Sequence, residues 1–565
     1  MLIGILGIIY IFFVLATYGY GANTLLLKNK PSESSSKIPL ILFLGLLVVT
    51  TLASFASLFI RINWEFQLFL LTGAVLITIF IIKKPINFKN NFFKKFTLFQ
   101  KIGAIFLMVC LILSLIQAVQ EPTNSDTGIY HAQSIHWIES YPVVPGLANL
   151  HERLGYNSSW LMLNAVFSFS FLRIQSFHLL SSFLFLAMIL SFYQGIHHLL
   201  AKKFLLSNFV RMGFFLAAFF FLFDQVSSPG TDMPATLFLW FILAESIELL
   251  ENKTILLDSK EPVYLSLLCI FALTIKLSTV PILLLPLFWI IYKLIKKNFK
   301  QIGQFVLLSF VIMVPYVARN IIQTGYPVFP GFPINIFHFD WALPVDRVKE
   351  EGEVIHWFAM LSSVPLEDFL TRSLKDQTIN WFANLIPRYK AILLTIPAGV
   401  LFNLSLCVFK KWRVFVRENV GFLLVVLVFI IGDLFWFFSA PSIRFGFGFL
   451  LGSVFLILFP VVLFLVNQLN YFQGITVWFI LISFIGLAII NFRTVIHYKD
   501  FSSIMLYPKE YPAWPSAPCE FHNFKLLCQA YYDSCWYSPF PCATNGNLDV
   551  EMRGSDYSDG FRQVP

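Results

Sequence analysis

Two carboxylates, Asp126 and Asp232, and three basic residues, Lys276, Arg319 and Arg444, stand at or near the ends of strongly apolar runs in a chain that carries few charges. A carboxylate in such a place can take a proton as a general base, and guanidinium or ammonium groups can hold the oxygens of a leaving phosphate. Asp126 opens a polar, aromatic loop that runs from Glu121 to about Tyr156 and contains Tyr130, His131 and His136. It has no basic neighbour in sequence to hold it as a permanent ion pair, so it is the base candidate. Asp232, in Ser228-Pro-Gly-Thr-Asp232, can serve as a second acid, a metal ligand or the cap of the helix that begins near Pro234. Asp224 is a weaker candidate of the same kind. His131 and His136 are candidates for substrate contact or for a divalent metal, against the blander reading of a hydrogen-bonded interfacial His. The blander reading of Lys276, Arg319 and Arg444 is interfacial anchoring. Asp433, inside the apolar run that leads to Arg444, is expected to pair with a basic group and shape the same cavity.

The elements that must position these residues are membrane helices. Of 565 residues, 58% are hydrophobic and 13% charged, and 66 are Phe; the mean hydropathy is +0.75. Such a chain cannot hide its apolar surface in one soluble core. Its first run, Met1 to about Tyr20, lacks a basic n-region and a small-residue cleavage site and reads as a helix that stays in the membrane. Apolar windows of roughly 17–25 residues recur about fourteen times, the last near 473–491. The expected fold is an all-α polytopic bundle. Its parts are N-terminal helices (1–100), a membrane core (101–318) bearing a first outer loop (120–158), an outer-face loop region (319–390), C-terminal membrane helices (391–492) and a Cys-containing tail (493–565). Trp160 to about Leu172 is taken as a juxtamembrane or re-entrant helix, shielded by protein.

Short loops rich in Lys and Arg stay in the cytoplasm. Lys28, Lys30 and Lys37, the group from Lys83 to Lys101, Lys202 with Lys203, the group from Lys296 to Lys300 and the group from Lys410 to Arg417 then fall on one side. The net charge of +9 is mostly this topology signal, and no nucleic-acid partner is needed. The Asp126 loop, the Asp232 loop, the 319–390 stretch, the turn at Arg444 and the tail fall on the other face.

Cys110, Cys269 and Cys407 sit in apolar runs and act as small hydrophobes. Cys519, Cys528, Cys535 and Cys542 cluster in the tail. On an outer face they suggest two disulfides, with three connectivities open; a zinc site is the rival, without a CxxC pair to support it.

The run Asp126-Thr-Gly-Ile-Tyr-His-Ala-Gln-Ser-Ile-His, then Tyr156-Asn-Ser-Ser-Trp160, Thr231-Asp232-Met-Pro234 and Thr274-Ile-Lys276-Leu-Ser278 resembles the GT-C superfamily of polytopic glycosyltransferases, which includes the protein O-mannosyltransferases and the lipid A aminoarabinose transferase. The resemblance covers roughly residues 100–320. Pro315-Tyr-Val-Ala-Arg319-Asn320, Thr324-Gly-Tyr-Pro327 and Ala440-Pro-Ser-Ile-Arg444-Phe445 resemble a bacterial branch with a Cys-bearing tail. The superfamily resemblance favours a functional role for Asp126. The candidate set is catalytic Asp126 and Asp232 with substrate contacts from Tyr130, His131, His136, Lys276, Arg319 and Arg444, and the basic-loop asymmetry places it on the outer face of a bacterial inner membrane. The chain departs from the pattern in carrying Asp126-Thr127 where many relatives have Asp-Glu.

No Gly-rich strand-to-helix fingerprint is present to cradle a nucleotide diphosphate. The expected donor is a polyprenyl-phosphate-linked sugar, and the acceptor a glycan, lipid or protein. A transporter or flippase of a lipid-linked glycan is the alternative, with a non-catalytic membrane subunit third. The flippase reading calls for paired repeats and ionisable residues near the bilayer midplane, which the sequence does not display.

Overall fold

The computed structural model describes residues 2–25, 38–82, 97–122, 124–173, 179–252, 261–331, 333–361, 363–496, 509–512, 514–529, 534–543 and 549–564. Lys28, Lys30, Lys37 and the lysines from Lys83 to Lys95, which helped set the expected orientation, lie outside them. Among the described residues, eleven helices are long and apolar enough to cross a membrane. Three of the expected windows, near 66–83, 262–278 and 473–491, fall in helices whose apolar stretches are shorter, so a count of fourteen crossings is not established.

The bundle centres on the helix Asp232–Glu251, which packs against Leu179–Leu200, Leu206–Ala217 and Ile443–Gln468. Aromatic rings fill this centre: Trp240 stacks on Phe214 with centroids 4.9 Å apart, and Phe43 meets Phe241 edge-on at 4.3 Å. Rings give a large, stiff contact area for few rotatable bonds, which suits them to filling such a centre. The first two helices, Leu2–Leu25 and Ile38–Ala56, cross at Gly19 and Gly45, where any side chain would strike the backbone of the facing helix. Small residues at a crossing let membrane helices approach this closely.

The Asp232–Glu251 helix also sets the polarity of the bundle. Asp232 opens it beside the candidate site, while Glu251 at its far end accepts the Leu206 N–H at 2.6 Å and the Ser207 hydroxyl at 2.5 Å. Lys202 and Lys203 therefore lie at the end opposite to Asp232. Near that far end Arg211 is bound by Glu245 and Glu248, each at 2.5 Å.

The segment Ser159–Val166 is a short, wholly buried helix followed by one 3₁₀ turn. Protein encloses the helix, whereas the 3₁₀ turn after it has no buried residue and exposes Phe171 and Leu172. The stretch expected as an outer loop region is largely helical, with helices Val345–Leu361, Leu366–Thr371 and Leu374–Asn384. They pack over the turn before Ile443: Trp381 donates to Pro441 O at 3.1 Å, and the His356 ring lies 3.1 Å from Ser439 O.

The tail forms two small sheets. Strand β1 (Ser516–Glu520) pairs antiparallel with β2 (Lys525–Gln529), β2 pairs parallel with β3 (Cys542–Ala543), and β4 (Val550–Met552) pairs antiparallel with β5 (Phe561–Gln563). Both disulfides form, as Cys519–Cys528 and Cys535–Cys542. The tail packs on the segment that follows Asp126: Phe521, Phe524, Leu526, Val550 and Phe561 share a core with Trp137, Val144, Leu147 and Leu150. The Phe561 N–H donates to Pro145 O at 2.9 Å.

Candidate active site

Three chain breaks bring the charged residues together. The first is a single π-helical turn, Thr127–His131, immediately after Asp126; π-turns recur at functional sites because they displace side chains from the regular helical pattern. The second lies between the helices Glu261–Ile275 and Leu284–Ile295, where Lys276 is extended (φ −155°, ψ 128°) before a 3₁₀ stretch that contains Pro281. Pro281 has no N–H to give the preceding turn, so it fits the opening of a restarted helix and not the middle of a continuous one. The third is the Ala440-Pro441-Ser442 turn, after which the Ile443–Gln468 helix begins. It places Arg444 in a first turn.

The Arg444 guanidinium joins the two carboxylates, with Nη2 2.7 Å from Asp126 Oδ2 and Nε 3.5 Å from Asp232 Oδ2. Lys276 Nζ donates to Asp232 Oδ1. The Phe445 ring lies under both cations, 3.7 Å from Lys276 Nζ and 4.9 Å from the Arg444 guanidinium carbon. A cation at a helix N-terminus opposes the helix dipole, and here the two carboxylates offset that cost. Asp232, at the start of its own helix, is favoured by the same dipole. The result is a charge-balanced quartet of two acids and two bases, half-buried and reaching across 318 residues.

Two expectations are corrected here. Asp126 has no cation near it in sequence, yet it is held in an ion pair by Arg444. Asp232 makes no capping hydrogen bond at its helix start; Thr231 takes the cap position and its side chain makes none either.

His131 and Tyr130 face the quartet from the π-turn. His131 is buried, and neither ring nitrogen has a hydrogen-bond partner among the described residues. Burial pushes its pKa down to about 4, against the opposing pull of Asp126 and Asp232, so the ring is neutral at pH 7. Tyr130 packs edge-on against His131 at 4.3 Å and against Tyr156 at 5.5 Å. Desolvation and the same two carboxylates raise its phenol well above the usual range, which keeps the hydroxyl protonated.

The remaining candidates lie elsewhere. His136 sits one turn further on, with Nδ1 3.1 Å from Glu139 Oε2 and its ring against Tyr537 at 4.9 Å. Arg319 donates to Asn157 Oδ1 at 3.1 Å and Ser57 Oγ at 2.7 Å. It lines a cavity with Tyr156 and not the quartet, so the expected three-cation cluster reduces to Lys276 and Arg444. Asp433 accepts from Ser453 Oγ at 2.5 Å and, among the described residues, has no basic partner, contrary to expectation. Asp224 is exposed. Among the described residues no three His, Cys, Asp or Glu side chains are grouped to hold a metal.

One contributor was not legible in sequence. Trp536, between the tail cysteines of the second disulfide, donates its backbone N–H to Gly128 O at 2.9 Å, and its indole packs where a Gly128 side chain would stand. Gln133 joins the clamp, giving Nε2 to Trp536 O at 3.3 Å and taking the Cys542 N–H at 3.2 Å. The tail thus holds the turn that carries Tyr130 and His131. Only the Cys535-x₆-Cys542 spacing hinted at a closed loop there.

A family model described as a domain of unknown function, DUF8201, matches residues 1–451. The chain belongs to this family. The DUF8201 match takes in every member of the quartet and ends inside the Ile443–Gln468 helix, ahead of the tail strands. No curated protein and no solved structure matches the chain.

Proposed function

We propose that this DUF8201 protein is a GT-C-type glycosyltransferase that moves a sugar from a polyprenyl-phosphate donor to an acceptor hydroxyl at the outer face of a bacterial inner membrane. The observation that carries the reading is Arg444 bridging Asp126 and Asp232, with Lys276 on the second carboxylate. In the resting site both cations are occupied by carboxylates. A donor phosphate competes for Arg444 and Lys276, and its arrival frees Asp126.

The reaction then balances as one inverting displacement. Asp126 takes the proton of the acceptor hydroxyl, the acceptor oxygen bonds to the anomeric carbon, and the bond from that carbon to the phosphate oxygen breaks with its electron pair. Polyprenyl phosphate leaves, its added charge held by Arg444 and Lys276. Neutral His131 and protonated Tyr130 offer uncharged polar groups to the sugar. The disulfide-bonded tail beside the site supports an oxidising, outward-facing setting.

Purified protein reconstituted in vesicles with a radiolabelled polyprenyl-phosphate sugar and a panel of acceptors tests the reading. Label transfer that requires Asp126 supports it. Movement of the labelled lipid between leaflets without transfer replaces it with the flippase alternative.

A further inference from the structure

Arg319 is 3% exposed, and among the described residues no carboxylate pairs with it. One of its five N–H groups goes to Asn157 and one to Ser57, which leaves three donors and a full positive charge. Its position near the C-terminal end of the Phe299–Thr324 helix offers favourable backbone carbonyls. Such a helix end returns only a fraction of what burying an unpaired guanidinium costs.

The cavity beside it is itself polar and unsatisfied. It measures about 10 Å³, space for a single water-sized species. Ser134 and Gln323 both line it, and Ser134 Oγ and Gln323 Oε1 are buried with no hydrogen-bond partner among the described residues. The other polar groups of the wall are committed elsewhere: Asn157 Nδ2 to Tyr316 O, Ser158 Oγ to Ile275 O and the Tyr156 hydroxyl to Glu351. A water could satisfy the hydrogen bonds but would leave the charge uncompensated.

We infer that the Arg319 cavity is a binding site for a single anionic atom, supplied either by a free chloride ion or by one phosphate oxygen of an anionic lipid headgroup. Arg319 and the Ser134 hydroxyl donate to it, and the Gln323 amide, turned by half a rotation, adds Nε2. This site is separate from the quartet and does not depend on the glycosyltransferase reading.

The test measures thermal unfolding of the full chain in an uncharged detergent. In one arm chloride replaces gluconate at constant ionic strength; in the other phosphatidylglycerol replaces an uncharged lipid at fixed chloride-free salt. Binding to the folded state alone raises the midpoint with anion concentration, by on the order of 2–4 °C at concentrations well above Kd. A rise in the first arm assigns chloride, and a rise in the second alone assigns the headgroup. Arg319→Met must abolish the response, and Ser134→Ala, which keeps the charge and removes one donor, must weaken binding several-fold should the first variant fail to fold. A wild-type midpoint indifferent to both anions, or an undiminished response in either variant, overturns the inference.

Discussion

Arg444 lies between Asp126 and Asp232, 2.7 Å from one carboxylate and 3.5 Å from the other, so neither acid can change partners without affecting its counterpart. In the proposed reaction, the donor phosphate meets a guanidinium already held between the two acids. Arg444→Lys removes the planar fork that reaches both acids. We expect it to raise the apparent KM for the lipid donor and lower kcat together, whereas a mere anchoring role predicts wild-type kinetics.

Asp126→Asn keeps the size of the side chain and removes the base. Transfer should fall by about 10²–10⁴, with membrane insertion unchanged and the unfolding midpoint lowered, because Arg444 loses one of its two counter-charges. A rate within a few-fold of wild type would exclude Asp126 as the base.

His131 makes stability depend on pH. Its folded pKa, about 4, lies below its ordinary value of 6.5, so between those values the unfolded chain binds a proton that the folded chain does not. Stability is therefore lost as pH falls from about 6.5 to 4, by ~1.4 kcal/mol per pH unit from this residue. His151, likewise lowered to about 4, adds a slope of the same sign. Denaturation curves at pH 7, 6 and 5 should show a shallower dependence in His131→Phe than in wild type, and equal slopes would refute the assignment.

Gly128 and Gly352 should respond oppositely to a methyl group. At Gly128 the new carbon collides with the Trp536 indole, so Gly128→Ala should lower both the unfolding midpoint and the transfer rate. At Gly352, inside the Val345–Leu361 helix, nothing lies within 4 Å. Gly352→Ala should stabilise by about 0.5–1 kcal/mol without altering transfer. Thermal unfolding and initial rates of the two variants check both expectations.

The orientation is accessible to labelling. Single cysteines at Lys202 and Asp346, two positions assigned to opposite faces, should differ in reaction with an impermeant maleimide applied to whole cells, position 346 reacting and 202 not. Reaction at 202 alone would place the quartet on the cytoplasmic side and remove the lipid-linked donor from the proposal.

Apolar run length and composition were enough to reveal a multi-pass helical membrane protein, because a helix in lipid must satisfy its backbone internally and cover it with apolar side chains. The same local logic marked Asp126, Asp232, Lys276 and Arg444, since a charge at the edge of an apolar run is costly and stands out. The tail cysteines announced disulfides because four of them cluster in a polar segment expected on the oxidising side, but left three pairings open. Which charges meet was not legible. Asp126 and Arg444 are 318 residues apart, and nothing in the residues around either one encodes the distance between them. That pairing depends on how the central helices pack and on the breaks at the π-turn, Lys276 and Pro441. Packing also sent Arg319 to a cavity of its own, left Asp433 with Ser453 and not a cation, and brought Trp536 onto Gly128. Local sequence sets what each segment can be, whereas the side-chain neighbours across segments are set by a three-dimensional arrangement in which sequence separation has no meaning.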